Sequence, residues 1–407
     1  VEMRPEEPER RDARGAPTPG GAPRRRRVNN REVVLEEIRA RAPISRVELS
    51  GIVGLTPAAI TSIARRLIAE GLVTESGHSE STGGKRRVLL EINAASRYAL
   101  GAQLTADSAT IVVEGLGGAV VGRSRFRHGV DGPAASTTRV AQAAAELLSS
   151  LGLRPESIVG FGVAVPGGLD ASRDVVLDSR VLPEWAGFRL RNALEDAARV
   201  PVRLYNDGAA AAAGEAWGGA AGKDSRLLLI QMDRGIGGGI VLDGAPLGGR
   251  LGRPGEIGHV VVDPAGQLCR CGGRGCLEAV AAPAAVEQSY AALAGRRLAM
   301  NRVAALALRN DPAALAAVQA SADAMSQAVL GAANLLDLDH VILAGSGFGS
   351  AVSIYIETIQ RRLDTAFLGR HAHPVAVRES LTMRDAAAVG AAEMVLKEQV
   401  SQQASSL

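Results

Sequence analysis

Four side chains in this sequence have the types and the spacing to hold a metal: His259, Cys269, Cys271 and Cys276, as His-x9-Cys-x-Cys-x4-Cys. The three cysteines are all that the chain contains. Thiolate sulfur and imidazole nitrogen are soft or borderline donors, and four of them complete a tetrahedron with no position left for water. That is the donor set of a structural site, and one Zn2+ per chain is expected. A catalytic zinc would keep a water position, and the paired CxxC knuckles of a DNA-binding finger are absent. Free buried thiols would need every cysteine of the chain to fall within eight residues beside a histidine by chance. Glu256 and Glu278 flank the cluster. On their own they read as solvated loop or helix carboxylates, just as Asn206-Asp207 reads as a strand-end turn pair.

A second set of residues suits nucleic acid. In "TPAAITSIARRLIAE", Ile60, Ile63, Ala64, Leu67 and Ile68 fall on one helical face. The other face carries Ala58, Ala59, Thr61, Ser62, Arg65 and Arg66, with Thr56 at the start. Small and hydroxylated side chains let a helix end enter a major groove, where methyls meet thymine methyls and hydroxyls bond bases or phosphates. Arg65 and Arg66 lie farther along, where phosphate is the expected partner. The run "GGKRR" places Lys85 and Arg86 at a turn, as a cationic tip for a neighbouring minor groove.

These residues need elements to carry them. "NNREVVLEEIRAR" sets Val33, Val34, Ile38 and the stem of Arg41 at helical spacing, and Pro43 stops it. "SRVELSGIVG" is a second short helix, with Ser45 as N-cap and Val47, Leu49, Ile52 and Val53 apolar. Thr56 caps a third, with Pro57 at its first position and Gly71 beyond its end. Two strand-like runs follow, "LVTES" and "RRVLLEI". Three helices and a hairpin make a winged helix-turn-helix over residues 28–92. Winged helices also serve as protein-interaction modules, but caps, turn, wing and charge coincide here in favour of DNA.

The charge is uneven. Residues 1–92 hold 17 Lys and Arg against 13 Asp and Glu, and the rest hold 29 against 30. The basic excess therefore sits in the first quarter. Residues 1–27, ending in Arg24–Arg27, are charged and rich in Pro and Gly, and read as a disordered basic arm. Aromatics make up only 3% of the chain, so its cores must rest on Ala, Val, Leu and Ile. No apolar run is long enough for a membrane span and the start lacks a signal-peptide core, so a cytoplasmic protein without a membrane partner is expected. Residues 93–407 alternate apolar strands ("YALGAQL", "TIVVEGL", "SIVGFGVAV", "RLLLIQM", "GGIVL", "HVILAG") with Ala-rich helices, an α/β pattern compatible with two related lobes.

The segment "GEIGHVVVDPAGQLCRCGGRGCLEA" (255–279) closely resembles the signature of the ROK family of repressors, open reading frames and sugar kinases. "GFGVAVPGGLD", "YNDGAAAAAGE", "RGIGGGIVLDG" and "LAGSGFG" resemble further motifs of that family, and the N-terminal unit resembles its repressor branch. The likeness runs over roughly residues 29–400. It implies a winged helix-turn-helix followed by a two-lobed, actin-like and ribonuclease-H-like α/β domain. It also implies sugar contacts at Asn206, Asp207, Glu256, His259 and Glu278, with Gly168 approaching closely. Carboxylates and a carboxamide can bond adjacent hydroxyls, and a histidine on zinc keeps its second ring nitrogen for one of them.

Three departures bear on activity. Kinases of the family carry "DIGGTK" after the first strand, and here that run is "QLTADS", with Gln103 at the Asp position, Thr105 and Ala106 at the glycines, and Asp107 at the Thr position. Asp107 then sets a fixed negative charge where phosphate would lie, and Arg234 replaces a Thr of the second phosphate loop. Asp207, the family's base, survives, but a base without held ATP transfers no phosphate. Val181 stands where family kinases often place a sugar-contacting Asn, so the cleft has lost one polar contact. The implied function is a sugar-controlled DNA-binding regulator, most simply a repressor, acting as a homodimer or homotetramer on operator DNA through helix 56–70 and the wing. The glycines at 235, 237, 238, 239, 345 and 347 then serve mostly the fold. A sugar kinase that retains phosphotransfer is one alternative. An effector-independent DNA-binding protein with an oligomerisation scaffold is the other.

Overall fold

The computed structural model describes residues 30–78, 87–127, 132–170, 175–179, 182–218, 225–248, 255–381 and 385–402. The expected basic arm (1–27), the wing-tip residues Lys85 and Arg86, and Val181 lie outside the described residues.

The first helix, α1 (Asn30–Arg41), buries Val34, Leu35 and Ile38. Arg41 does not join that stripe. It is exposed and pairs with Glu37 one turn back, at 2.7 Å. A two-residue strand, β1 (Ile44–Ser45), leads into α2 (Arg46–Val53) through a capping box. Ser45 Oγ accepts from Glu48 N at 3.3 Å, and Glu48 Oε2 accepts from Ser45 N at 2.9 Å. Such a cap contributes about 1 kcal/mol. Gly54, in the left-handed region at φ 71°, ends the helix. Helix α3 (Pro57–Ala69) follows, with Thr56 Oγ1 accepting from Ala59 N at 3.3 Å. The axes of α2 and α3 are bent by 117°, within the range of a helix-turn-helix. The apolar stripe of α2 is narrower than its sequence suggests. Leu49 is buried, but Val47 and Ile52 are 57% and 44% exposed. An antiparallel hairpin, β2 (Val73–His78) and β3 (Val88–Ile92), completes the unit, with β1 on the far side of β3.

Two sheets follow. In the first lobe β4 (Tyr98–Leu104), β5 (Ser108–Gly115) and β6 (Val120–Arg127) form an antiparallel meander. Helix α4 (Gly132–Ser150) returns the chain to β7 (Ile158–Val165), parallel to β4. A small ribbon, β8 (Gly168–Asp170) and β9 (Val175–Asp178), and helix α5 (Leu190–Ala198) precede β10 (Val202–Asn206), parallel to β7. Helix α6 (Asp207–Gly218) then crosses to the second lobe.

That lobe repeats the plan. Strands β11 (Leu227–Met232), β12 (Ile236–Leu242) and β13 (Ala245–Pro246) form the meander. The metal-ligand segment and the helices α7 (Leu277–Ala281), α8 (Pro283–Ala294), α9 (Met300–Ala307) and α10 (Pro312–Leu336) come next. Then β14 (His340–Ala344), α11 (Val352–Ala366) and β15 (Ala376–Glu379) add the parallel strands. In order of appearance, both sheets read third, second, first, fourth, fifth: β6-β5-β4-β7-β10 and β13-β12-β11-β14-β15. The two lobes anticipated from strand and glycine recurrence are thus built to one topology. Strand β6 went unanticipated because its arginines alternate with other residues and leave no apolar run.

The last helix, α12 (Ala386–Gln402), returns to pack on β4 and β7 of the first lobe, while α6 packs on β12 of the second. The two helices meet between the sheets. Their contact is backbone on backbone, since a Cβ on Gly390 would lie 1.7 Å from the Ala210 carbonyl oxygen, and α6 approaches β12 as closely, where a Cβ on Gly239 would lie 1.9 Å from the Gly208 carbonyl oxygen. No single helix among the described residues is long and apolar enough to cross a membrane.

Candidate functional site

Two short β-bridges, Val261 with Cys276 and Leu268 with Arg274, fold the cysteine segment back on itself. Cys269 N donates to Gly273 O at 2.8 Å, and Gly272 N donates to Cys269 O at 3.0 Å. These bonds gather His259, Cys269, Cys271 and Cys276 so that one ligand atom of each lies within 4.8 Å of the others. Cys271 Sγ is 3.5 Å from Cys276 Sγ, and Cys269 Sγ is 3.7 Å from His259 Nδ1. Donors on a tetrahedral zinc with bonds of about 2.3 Å stand about 3.8 Å apart, so the spacing fits. Gly273 N also points at Cys271 Sγ, at 3.4 Å, as an amide does toward a thiolate. Burial and the neighbouring thiols push the Cys276 thiol well above its ordinary value. His259 turns its other nitrogen, Nε2, toward Glu256 Oε2, 4.0 Å away.

Asp207 opens α6, directly after Asn206 at the end of β10. Asn206 is heavily engaged by the fold. Its Oδ1 accepts from Ala209 N at 3.0 Å, and its Nδ2 donates to Gly167 O at 3.2 Å. It thereby fixes both the start of α6 and the Pro166-Gly167-Gly168 loop. Gly168 itself is buried, and Gly167, at φ 106°, is the glycine that Asn206 grips. Asp207 is half-buried and accepts from Gly208 N at 3.0 Å. Burial above all, then the charges of Asp233 and Glu256, push its carboxyl up to about 6. Glu256 is exposed beside it. Glu278, from α7, accepts from Ile236 N at 3.0 Å. One of its oxygens is therefore tied to the first residue of β12, which links α7, just after the cysteine segment, to the second-lobe sheet.

The turns whose sequences resemble the family's phosphate loops carry internal side-chain contacts. Asp107, in the turn between β4 and β5, accepts from Arg234 Nη2 at 3.2 Å. It is therefore not the unneutralised charge that its place in "QLTADS" suggests, because the second departure compensates the first. Asp233 adds a contact the sequence did not announce. Its Oδ1 accepts from both N and Oγ of Ser346, each at 2.8 Å, in the glycine pair before α11. Gln231 Nε2 donates to the other oxygen at 3.0 Å. An internal carboxylate thus takes an amide in the "AGSG" turn, and Gln103 is buried within β4.

On α3, Thr56, Ala58, Ser62, Arg65 and Arg66 are exposed, and Ala59 and Thr61 are half-buried. The hydroxyl of Thr61 donates to Pro57 O at 2.8 Å and is thus engaged within its own helix. The buried face holds Ile60, Ala64 and Leu67, and α3 packs on α1, α2 and β2.

Comparison with known proteins agrees with this arrangement. A family model described as ROK family matches residues 134–398, and one described as winged helix-turn-helix DNA-binding matches residues 29–74. The chain is 29% identical over 291 residues to a xylose repressor of Bacillus subtilis, covering 71% of this chain and 75% of that one. It is 31% identical over 278 residues to the DNA-binding transcriptional dual regulator NagC of Escherichia coli, covering 67% and 68%. Among solved structures, a ROK family transcriptional regulator described as a homologue of the E. coli MLC protein aligns with a TM-score of 0.77 at 26% identity, covering 92% of this chain and 98% of that one. A ROK hexokinase of Thermus thermophilus aligns at 0.63 and 28% identity, covering 75% and 99%.

Proposed function

The chain belongs to the ROK family, and from that premise we propose a sugar-responsive transcriptional repressor that binds operator DNA through α3 and transfers no phosphate. The observation that carries the reading is a winged helix-turn-helix joined to a two-lobed body whose phosphate loops are satisfied internally. Asp107 is paired with Arg234, and the Ser346 amide is taken by Asp233. A nucleotide would have to displace both contacts.

Asp207, Glu256, Glu278 and His259 line the cleft and supply acceptors for vicinal hydroxyls, with Asn206 and Gly168 shaping its floor. Zn2+ held by His259, Cys269, Cys271 and Cys276 would close the segment that carries Glu256 and Glu278. Residues 28–92 form the DNA-binding unit and 93–407 the effector-binding body, working as a homodimer or homotetramer on a two-fold operator. Effector changes DNA binding only as far as it prefers one lobe arrangement over the other. Footprinting on an operator selected from random DNA, with and without a panel of monosaccharides and sugar phosphates, tests this. A footprint indifferent to every sugar removes the effector half.

One observation favours a second reading. A carboxyl poised near neutrality suits a general base, and Asp207 has that property. ATP turnover with glucose, N-acetylglucosamine or xylose that disappears in Asp207→Asn would make the protein a kinase as well.

A further inference from the structure

The DNA-binding unit rests on the body through a buried ionic joint. Arg39 of α1 donates from Nη2 to Glu393 Oε2 of α12 at 2.9 Å, and its Nη1 contacts the other oxygen of the same carboxylate. Glu114 of β5 lies 3.8 Å from the same guanidinium. One turn along α12, Lys397 Nζ is 2.7 Å from Glu36 Oε1 of α1. Glu36 and Arg39 are three residues apart on their helix, and Glu393 and Lys397 are four apart on theirs, so each pair shares a face. An acid and a base on α1 therefore meet a base and an acid on α12. The side chains of Glu393 and Glu114 are 1% exposed, and those of Arg39 and Lys397 are 19% exposed. Burial, then the neighbouring Glu393, push the Glu114 carboxyl well above the ordinary range. Besides Glu114, the joint sets two cations, Arg39 and Lys397, against two carboxylates, Glu393 and Glu36.

The same lysine touches the helix whose far end carries Asp207. Lys397 Nζ stands 3.8 Å over the ring of Trp217, near the C-terminal end of α6, and Trp217 Nε1 donates to Gly244 O at 3.0 Å. The N-terminal end of α6 is Asp207. Twelve residues of helix span ~18 Å, and α6 is locked to α12 by the glycine contacts. On the other side, α1 shares a core with α3 through Val34, Leu35, Ile38, Ile60 and Leu67. A cavity of about 30 Å³, roughly one water, lies beside Leu35, Ile92, Leu116 and Leu396, so the joint keeps some slack next to its charges.

We infer that Glu36 and Lys397, with the Arg39–Glu393 pair beside them, are positioning residues that fix the angle of the winged helix to the α6/α12 pair and so carry the state of the cleft to the recognition helix. The transmission part rests on the effector-responsive function proposed above, but the orientation part does not. Displacing α6 moves Trp217, and with it the lysine that α1 grips. Removing Arg39 would strand buried carboxylates and risk the fold, so the test uses the outer rung. Glu36→Gln and Lys397→Met each remove one charge at nearly constant volume, and Glu36→Lys with Lys397→Glu reverses the rung.

Spin labels placed through unnatural amino acids at the exposed positions Ala69 of α3 and Ser149 of α4 read the angle directly, without DNA or sugar. A narrow distance distribution is expected in the parent, a broad one in either single variant, and a narrow one again in the reversed pair. The effector-dependent change in operator affinity should fall at least fivefold in the single variants, with calorimetric effector affinity within twofold of the parent. It should recover in the reversed pair. Unchanged distributions in both single variants overturn the inference, as does a full effector response in them. If no sugar alters operator binding by the parent while the label widths respond as expected, the sugar-responsive reading fails and the orienting role stands.

Discussion

Arg234 donates to Asp107 at 3.2 Å across the mouth between the lobes, joining two turns 127 residues apart. The two turns are equivalent, since each links the first two strands of its lobe. Both residues fall in runs that resemble the family's phosphate loops. The pair is exposed, at 78% and 57%, and pairs of that kind contribute about 0.2–1 kcal/mol. A double-mutant cycle of Asp107→Ala and Arg234→Ala by thermal unfolding should therefore give a coupling in that range at low salt and almost none at 1 M salt. ATP should bind neither single variant, because Asp233 still holds the Ser346 amide. Nucleotide binding by Asp107→Ala alone would show that the charge, and not the internal contacts, had blocked the site.

Effector affinity should depend on pH through Asp207. The carboxyl is raised to about 6, and an acceptor of hydroxyls is better ionised. Between pH 7 and pH 5 the ionised fraction falls roughly tenfold, so calorimetric affinity should weaken by about that factor. The stability effect has the opposite sense. A carboxyl raised in the folded state stabilises the effector-free protein below its unfolded value, and that contribution is lost as pH rises through about 6. Asp207→Asn should flatten both curves. A pH slope that persists in Asp207→Asn belongs to another group.

Cys271 is the exposed member of the cluster, so Cys271→Ser disturbs little packing on its own. Metal content, measured by mass spectrometry, should fall from one zinc per chain to near zero. Effector affinity should drop at least tenfold, because Glu278 and Glu256 lose their shared frame. Operator affinity without effector should stay within about threefold. Full effector response in a metal-free variant would count against the clip.

Arg65→Ala and Arg66→Ala should each weaken operator binding on every sequence alike and lower the salt slope by about 1, as loss of one phosphate contact does. Ala58→Glu should abolish binding by setting a charge against the groove. Unaltered footprints in all three variants would move the DNA interface away from α3.

Much of the DNA-binding unit was legible because its signals are local. Ser45 with Glu48, Thr56 with Pro57, and Gly54 fix helix ends within four residues of themselves. Strand β4 coincides with "YALGAQL" for the same reason. The metal cluster was legible because its ligands fall within eighteen residues of chain. What escaped depends on residues far apart in sequence. The partner of Asp107 is 127 positions away, Arg39 meets Glu393 over 354, and Asp233 reaches Ser346 over 113. Helical periodicity also promised more burial than α2 delivers, since Val47 and Ile52 face outward in a unit with only one covered side. Asn206 reads as a sugar contact by likeness alone, and its bonds to Ala209 and Gly167, the latter 39 positions away, became visible only in the fold.

The facing portions of α6 and α12 are made mainly of alanine and glycine: "DGAAAAAGEAWG" meets "AAAVGAAEM". Alanine and glycine side chains have no rotamers to freeze, so ordering them costs essentially no side-chain entropy. Holding the two helices backbone to backbone therefore freezes few rotamers. The α6/α12 pair is thus stiff at little entropic cost, and warming should loosen it less than it loosens contacts made by long side chains.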